Sequence, residues 1–371
     1  MGGNPGGFWP EIKDDKIMIC YLSRNYRDVN SAGNKAKTDV EQIMENLHCK
    51  NTGLNQTVCK NSIVSFVLTL ASVLKCGFCL HKGDMLVLQY PLKKYYSFVC
   101  NIAHFRGCKV ITLIHDLGCF RRKKQTEAQE ILRLNHADYI IAHNDVMKKW
   151  LEDRNCQAQV GSLEIFDFLS PSQPEGTDKI RKPYRVTYAG GLSLRKNAFL
   201  YEVGEFVHSY RFVLYGSGFE KTLLKGENYF DYKGFIAADQ LIASAAGDFG
   251  LVWDGSSIAS CSGNWGEYLQ YNNPHKTSLY IRCGFPVIIW EKAALSGFVR
   301  KNNIGICIAS LEDLDTVLSV LSEDQYVEMA KNVTEISKRL SEGYYFSTAL
   351  QRAVSELKRK TQSTPGKRCV F

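Results

Sequence analysis

The sequence predicts an α/β chain of two doubly wound halves around a cleft. Three observations predict it. Short apolar runs such as Met85–Gln89 and Lys109–Ile114 lack the alternation of a strand with one wet face, and each leads into a segment of helical period. That pattern belongs to a parallel sheet covered on both faces. Between Ser170 and Pro183 the composition shifts, and Ser170-Pro171-Ser172-Gln173-Pro174-Glu175-Gly176 breaks helix and strand alike. Beyond that stretch the strand–helix alternation starts again at Tyr184.

The elements follow in order. Lys16–Leu22 reads as a strand, Ser31–Leu47 as a helix and Ser62–Leu80 as a second, very apolar helix. Met85–Gln89 is a buried strand closed by Pro91. Lys94–Phe105 is a helix, Lys109–Ile114 a strand, Glu127–Ala137 a helix, Tyr139–Ala142 a strand and Asp145–Asp153 a helix. In the second half Tyr184–Ala189, Arg211–Tyr215, Asp248–Trp253 and Pro286–Trp290 are strands, with a helix over Pro274–Cys283. Leu311–Leu357 is helical and amphipathic. The expected division is a first domain over residues 1–169, a second over 184–340, and a C-terminal helix over 341–371 that packs back on the first before a basic tail. The clean apolar run Ile63–Leu74 is too short to span a bilayer and is expected to be a buried core helix.

Composition narrows the function. Of 371 residues, 45% are hydrophobic and 23% charged, which excludes a disordered or fibrous chain. Forty-six Lys and Arg against 38 Asp and Glu leave +8, enough to suit an anionic substrate or membrane surface. A nucleic-acid binder would show a more clustered basic bias, so no nucleic-acid partner is expected. Thirteen cysteines, an odd number, and a Gly-rich start at Met1–Pro10 without an apolar core point to reduced thiols in the cytoplasm.

In open α/β sheets ligands gather at the carboxyl ends of the strands, so the loops there carry the functional reading. Gly190-Gly191-Leu192-Ser193-Leu194-Arg195-Lys196-Asn197 follows a strand. Its glycines allow close backbone approach, Arg195 can grip phosphate oxygens in a fork, and Lys196 acts as a point charge. Tyr215-Gly216-Ser217-Gly218 ends the next strand but lacks the third glycine of a dinucleotide fingerprint, and no Walker A sequence occurs. In Asn272-Asn273-Pro274-His275-Lys276, Asn273 reads as an N-cap and Pro274 as the first helical residue. Lys276 then opposes the helix dipole unless a phosphate lies before it. Together the three loops could neutralise a diphosphate without a metal. An ordinary capped helix and a solvated cationic turn are the plain alternatives.

In the first half, His115 and Asp116 close a buried strand and suit acid–base work. Arg121-Arg122-Lys123-Lys124 follows, and Ser31-Ala32-Gly33-Asn34-Lys35 opens a helix after the first strand. Cys76-Gly77-Phe78-Cys79 has redox spacing but no second pair for zinc. Asp313 and Asp315 are spaced like a metal-binding pair but fall in a helix first turn, where acids are favoured anyway. Lys358-Arg359-Lys360 with Lys367-Arg368 could touch anionic lipid.

At these residues the chain resembles GT-B glycosyltransferases, and more closely the bacterial galactofuranosyltransferase-like family, which also holds glucosyltransferases acting on serine-rich adhesins. The likeness is carried by Ser31–Asp39, Gln89-Tyr90-Pro91, Ile114–Leu117, Ala142-His143-Asn144, Tyr188–Leu192 and Phe249–Gly255. The narrowest match is Tyr271–Lys276 running into Cys283–Ile288. The resemblance implies two Rossmann-like domains and transfer of a sugar from a UDP-sugar, UDP-galactofuranose or otherwise UDP-glucose, to a hydroxyl of a growing bacterial glycan. It implies inversion, no metal and no cofactor beyond the UDP-sugar co-substrate. Arg195, Lys196, Tyr215, Gly216, Asn273 and Lys276 would hold the donor. Gly33, Lys35 and His115 would meet the acceptor, a glycan, glycolipid or glycoprotein, and Asp116 would be the catalytic base. Many GT-B enzymes carry a ribose-binding Glu where this chain has Leu279. Self-association and peripheral contact with the inner face of the plasma membrane are further expectations. The competing reading is a non-catalytic subunit that stabilises a partner transferase.

Overall fold

The structure is a computed structural model that describes residues 17–26, 32–59, 61–121, 123, 125–175 and 182–363. The chain divides into two compact units. The first takes the residues up to Cys119, Lys124–Leu163 and those from Tyr344 on; the second takes Phe120–Lys123 and Glu164–Gly343.

The strands of the first unit are β1 (Ile19–Tyr21), β2 (Asn25–Tyr26), β3 (Lys50–Asn51), β4 (Thr57–Val58), β5 (Met85–Tyr90), β6 (Lys109–Ile114), β7 (Tyr139–Ala142) and β8 (Gln159–Ser162). Its helices are α1 (Ala32–Asn46), α2 (Ser62–Cys79), α3 (Tyr96–Phe105), the first half of α4 (Gly118–Arg121, divided at Cys119/Phe120), α5 (Glu127–Leu134) and α6 (Asp145–Glu152). Six strands form one parallel sheet in the order β3-β1-β5-β6-β7-β8, while β2 and β4 pair separately. Every residue of β5 and β7 is buried, as expected of strands covered on both faces. Two capping devices set helix starts: Thr126 boxes α5 with Gln129, and Asn144 accepts the Met147 amide at the head of α6.

The second unit holds β9 (Tyr184–Gly191), β10 (Tyr210–Ser217), β11 (Phe230–Gly234), β12 (Phe249–Val252), β13 (Val287–Trp290) and β14 (Gly305–Ile308). Its helices are α7 (Leu194–Asn197), α8 (Phe199–Glu202), α9 (Ala238–Ser244), α10 (Gly263–Gly266), α11 (His275–Arg282), α12 (Ser296–Asn302), α13 (Leu314–Val320) and α14 (Glu323–Ser341). The sheet runs β11-β10-β9-β12-β13-β14, all parallel. Strand order reverses between β9 and β12, so their carboxyl ends form the topological switch where such sheets take ligands. The final helix, α15 (Tyr344–Ser363), belongs to the first unit and packs on α1, β7 and β8.

Two expectations are corrected. The stretch Ser170–Pro174 is bonded into the second unit, and the unit boundary falls earlier, at Leu163/Glu164. Buried Arg282 donates to the carbonyls of Ser170 and Ser172 at 3.2 and 2.9 Å and to Ser337 Oγ at 2.9 Å. A proline-rich loop can be fixed wherever a buried guanidinium gathers its carbonyls; residues 176–181 of the same stretch lie outside those described. The second correction concerns α2. It forms where expected, but only Ser72, Val73 and Cys76 are buried, so it is not a core helix. Among the described residues it is the one helix long and apolar enough, by length and composition, to cross a membrane.

Candidate active site

At the switch of the second unit, β9 and β10 lie in register so that Gly190 faces Gly216. A Cβ on Gly216 would fall 1.8 Å from the Gly190 carbonyl oxygen, and its φ of +147° suits glycine alone. The two strand ends can therefore touch backbone to backbone. The Leu192 amide donates to the Ser217 carbonyl at 2.9 Å and closes the turn. Asn197, fully buried, then fastens this loop to the loop after β12: its Nδ2 donates to Gly191 O at 2.7 Å and its Oδ1 accepts the Gly255 amide at 3.4 Å.

Two lysines converge there. Lys276 Nζ lies 3.0 Å from Asp254 Oδ1, 3.0 Å from the Tyr188 hydroxyl and 3.3 Å from the Trp253 carbonyl. Lys196 Nζ lies 3.7 Å from the same Asp254 oxygen and 5.1 Å from the centre of the Trp265 ring. Tyr188 also donates to Asp254 Oδ1 at 3.1 Å. One carboxylate thus answers two ammonium groups and leaves one positive charge in excess. Burial holds the Lys276 ammonium below its ordinary range; Asp254 opposes that shift and Lys196 adds to it. An anion entering this place would relieve both cations.

The expected donor residues separate into three groups. Lys196 and Lys276 come together at Asp254, and Gly216 lies against Gly190. Arg195 is exposed on α7, one residue from Lys196. Tyr215 is buried, and its hydroxyl accepts the Ala246 amide at 2.9 Å, so it braces the sheet end against the segment after α9. Asn273 is not the N-cap: Pro274 holds that position, α11 starts at His275, and Asn273 Nδ2 donates to the Glu164 carbonyl at 3.0 Å. The side chain binds the incoming chain instead of the helix head, because Glu164 O is within its reach. Within the protein the counter-ion of Lys276 is Asp254.

The first unit has its own switch between β1 and β5. Half-buried Arg24 donates to Pro91 O at 3.0 Å and to Gln89 O, tying the two strand ends. Burial lowers its guanidinium below the ordinary range. Gln89 joins His115 Nε2 at 2.6 Å and donates to Lys37 O at 3.2 Å. Lys35 pairs with Asp39 one helical turn on, and Gly33 lies in the first turn of α1. Asp116 follows β6 and is half-buried. His143, at the end of β7, is bonded to backbone at Ile114 and His115, and burial pushes its imidazole down to about 3. It stays neutral and props the strand end that carries His115 and Asp116. The structure thus gathers Gln89, His115 and Lys37 with His143 behind them.

Sequence reasoning left Asp254, Asn197, Tyr188 and Trp265 without roles. Asp254 carried a signal: an Asp-Gly pair one residue past a fully buried strand, with Gly255 at φ +122°. Asn197 and Trp265 carried none, since each acts across separate loops.

Comparisons with known proteins give the family and the fold. A family model for the glucosyltransferase 3-like N-terminal domain matches residues 19–165, and that for the C-terminal domain matches residues 186–353. The chain is 32% identical over 339 residues to the beta-1,6-galactofuranosyltransferase WbbI of Escherichia coli (strain K12), covering 91% of this chain and 98% of that one. Glucosyltransferase 3 of Streptococcus gordonii is 28% identical over 127 residues, 34% of this chain and 37% of that one. Among solved structures, Anabaena Alr3699/HepE in complex with UDP superposes with a TM-score of 0.59 at 14% identity, over 92% of this chain and 100% of that one. The lipopolysaccharide outer core galactosyltransferase WaaB in its apo form gives 0.59 at 14% identity, over 92% and 99%. At such identities the two structures speak to the fold alone. The two-domain match and the full-length relative place this chain in the glucosyltransferase 3-like family of GT-B glycosyltransferases, alongside bacterial galactofuranosyltransferases, and make it a hexosyltransferase.

Proposed function

We propose that this hexosyltransferase takes its sugar from a UDP-linked donor, UDP-galactofuranose or otherwise UDP-glucose, and places it on a hydroxyl of a growing bacterial glycan with inversion and without a metal. The observation that carries the donor reading is the meeting of Lys196 and Lys276 on one carboxylate at the strand-order switch. The excess charge there, with exposed Arg195 beside it, suits a diphosphate. The relative's name adds the sugar, since WbbI is a galactofuranosyltransferase, and a fold-mate holds UDP-glucose.

In the reaction, the acceptor hydroxyl oxygen attacks the anomeric carbon as the bond from that carbon to the diphosphate oxygen breaks. The electron pair leaves with UDP, and Lys276, Lys196 and Arg195 stabilise the charge that develops on it. The hydroxyl proton passes to Asp116. His143 and Gln89 fix the backbone and the imidazole beside that carboxylate. Asn273, Tyr215 and Gly216 keep the loops in place on the donor side, and Gly33, Lys35 and His115 are kept for the acceptor.

The test is isothermal calorimetry against UDP, GDP and CDP, followed by turnover with their sugars. UDP should bind and the other two should bind far more weakly. Asp116→Asn should keep UDP affinity and lose turnover; a fully active variant removes Asp116 from its role, and preference for GDP or CDP overturns the donor.

A further inference from the structure

Among the described residues, the outward face of α2 is an apolar surface that the proposed catalysis does not use. Ile63, Val67, Leu74 and Phe78 recur at helical spacing along one stripe and are 76%, 56%, 47% and 83% exposed. Isolated exposed apolar residues are ordinary, but a continuous row over a whole helix marks an interaction surface. The opposite face is fastened down. Ser72 Oγ donates to Ser23 O at 3.1 Å and accepts the Leu54 amide at 3.0 Å, and the Thr52 hydroxyl meets Cys76 Sγ at 3.2 Å. The helix could cross a bilayer only by abandoning those bonds, so it is built to lie on a surface.

The charges say which surface. From Asn61 to Lys109 the chain holds six cations, Lys75, Lys82, Lys93, Lys94, Arg106 and Lys109, against one acid, Asp84. Asp84 is buried, whereas Lys75, Lys82, Lys94, Arg106 and Lys109 are exposed. Lys109 is paired with Asp138 at 2.7 Å, and two of the other cations stand at the ends of the stripe. Lys94 Nζ lies 4.6 Å from the Phe66 ring centre, near the start of α2. Arg106 donates to Leu80 O, just past its end, at 2.8 Å, beside Phe105, which is 91% exposed. A second copy of the chain docked two-fold on this face would set cations against cations with no exposed carboxylate of this segment to answer them. An anionic bilayer answers them and takes up the apolar row as well.

We infer that α2, with the cations that flank it, is a peripheral docking face for an anionic membrane, the helix lying in the headgroup region. The full chain should float with vesicles of phosphatidylglycerol and phosphatidylcholine, and bind much less to phosphatidylcholine alone or at raised salt. The Val67→Glu/Phe78→Glu double variant should lose about tenfold or more in partitioning, since each side chain forfeits its apolar burial. Lys94→Glu should lose roughly 30-fold, about fivefold each for removal and reversal of the charge. Phe78→Ser, a milder change at an exposed position, guards against a folding failure of the double variant. Far-UV circular dichroism and UDP binding should be unchanged throughout. Absence of wild-type binding to anionic vesicles overturns the inference, as does equal binding by the variants. A wild-type dimer that Val67→Glu/Phe78→Glu converts to monomer, without vesicle binding, overturns it in favour of a second copy.

Discussion

Replacing Lys276 by Met removes the charge and keeps most of the volume. The ammonium lies 3.0 Å from Asp254 Oδ1, and the two side chains are only 14% and 10% exposed. Breaking a buried pair from one side leaves the other charge uncompensated, at about 3–5 kcal/mol. Here Lys196 stands 3.7 Å from the same oxygen and can move in, so the lower end applies. Roughly 3 kcal/mol in a domain of this size lowers Tm by roughly 6–12 °C. On the ligand side, loss of one charge-assisted bond to a diphosphate is worth about 1.5–3 kcal/mol, a fall in UDP affinity of roughly 10- to 150-fold. The Asp254→Asn variant separates the two effects. It should also be less stable without ligand, because two cations then lack their carboxylate, yet UDP should bind at least as tightly and restore more of the lost Tm than in the wild type. Differential scanning fluorimetry with and without UDP, with calorimetry for Kd, reads both arms. Unchanged UDP affinity in both Lys276→Met and Arg195→Ala refutes the donor site. A loss in Asp254→Asn as large as that in Lys276→Met refutes the idea that the carboxylate stands where the diphosphate's charge is wanted.

Two further outcomes follow from single contacts. Gly216→Ala places a methyl 1.8 Å from the Gly190 carbonyl oxygen in a conformation that disfavours any side chain. It should lower Tm by several degrees and weaken UDP binding together; a wild-type Tm would show that the strand ends need not touch. His143 is neutral in the fold down to about pH 3, while an unfolded imidazole takes a proton near 6.5. The unfolded state then binds more protons, so this stability is present above about pH 6.5 and is lost as pH falls toward 3. The slope is at most about 1.4 kcal/mol per pH unit. His143→Gln should flatten that acid limb in urea titrations at pH 7, 5.5 and 4.5; an unaltered limb assigns the loss to other groups.

Much of the architecture was legible because buried parallel strands announce themselves. Val110–Ile114 and Tyr139–Ala142 are fully buried, and the helices α5 and α6 beside them carry caps and polar faces. The strands that went unread are the isolated pair β2 and β4 and the sheet-edge strands β3, β8, β11 and β14, where the run is short and partly exposed and, in all but β14, polar residues break it. The site was legible to the extent that its residues lie within one loop. Gly190, Arg195, Lys196 and Lys276 advertise an anion by their kind and by their place after strands. Asn197 does not, and Asp254 shows only an Asp-Gly pair with no mark of its charge partner, because their work is to join loops 58 and 22 residues apart in the chain.

The sequence by itself determined the alternation of strands and helices, the parallel sheets and the cationic character of the loops after β9 and before α11. Those follow from local propensity, period and residue chemistry, which a chain carries wherever it is. The tertiary structure decided which charge answers Lys276, which stretch Arg282 claims, and which face of α2 meets solvent. Each of these depends on what a second, distant segment places within a few ångströms, and an apolar helix reads the same whether its outer face meets protein, water or lipid.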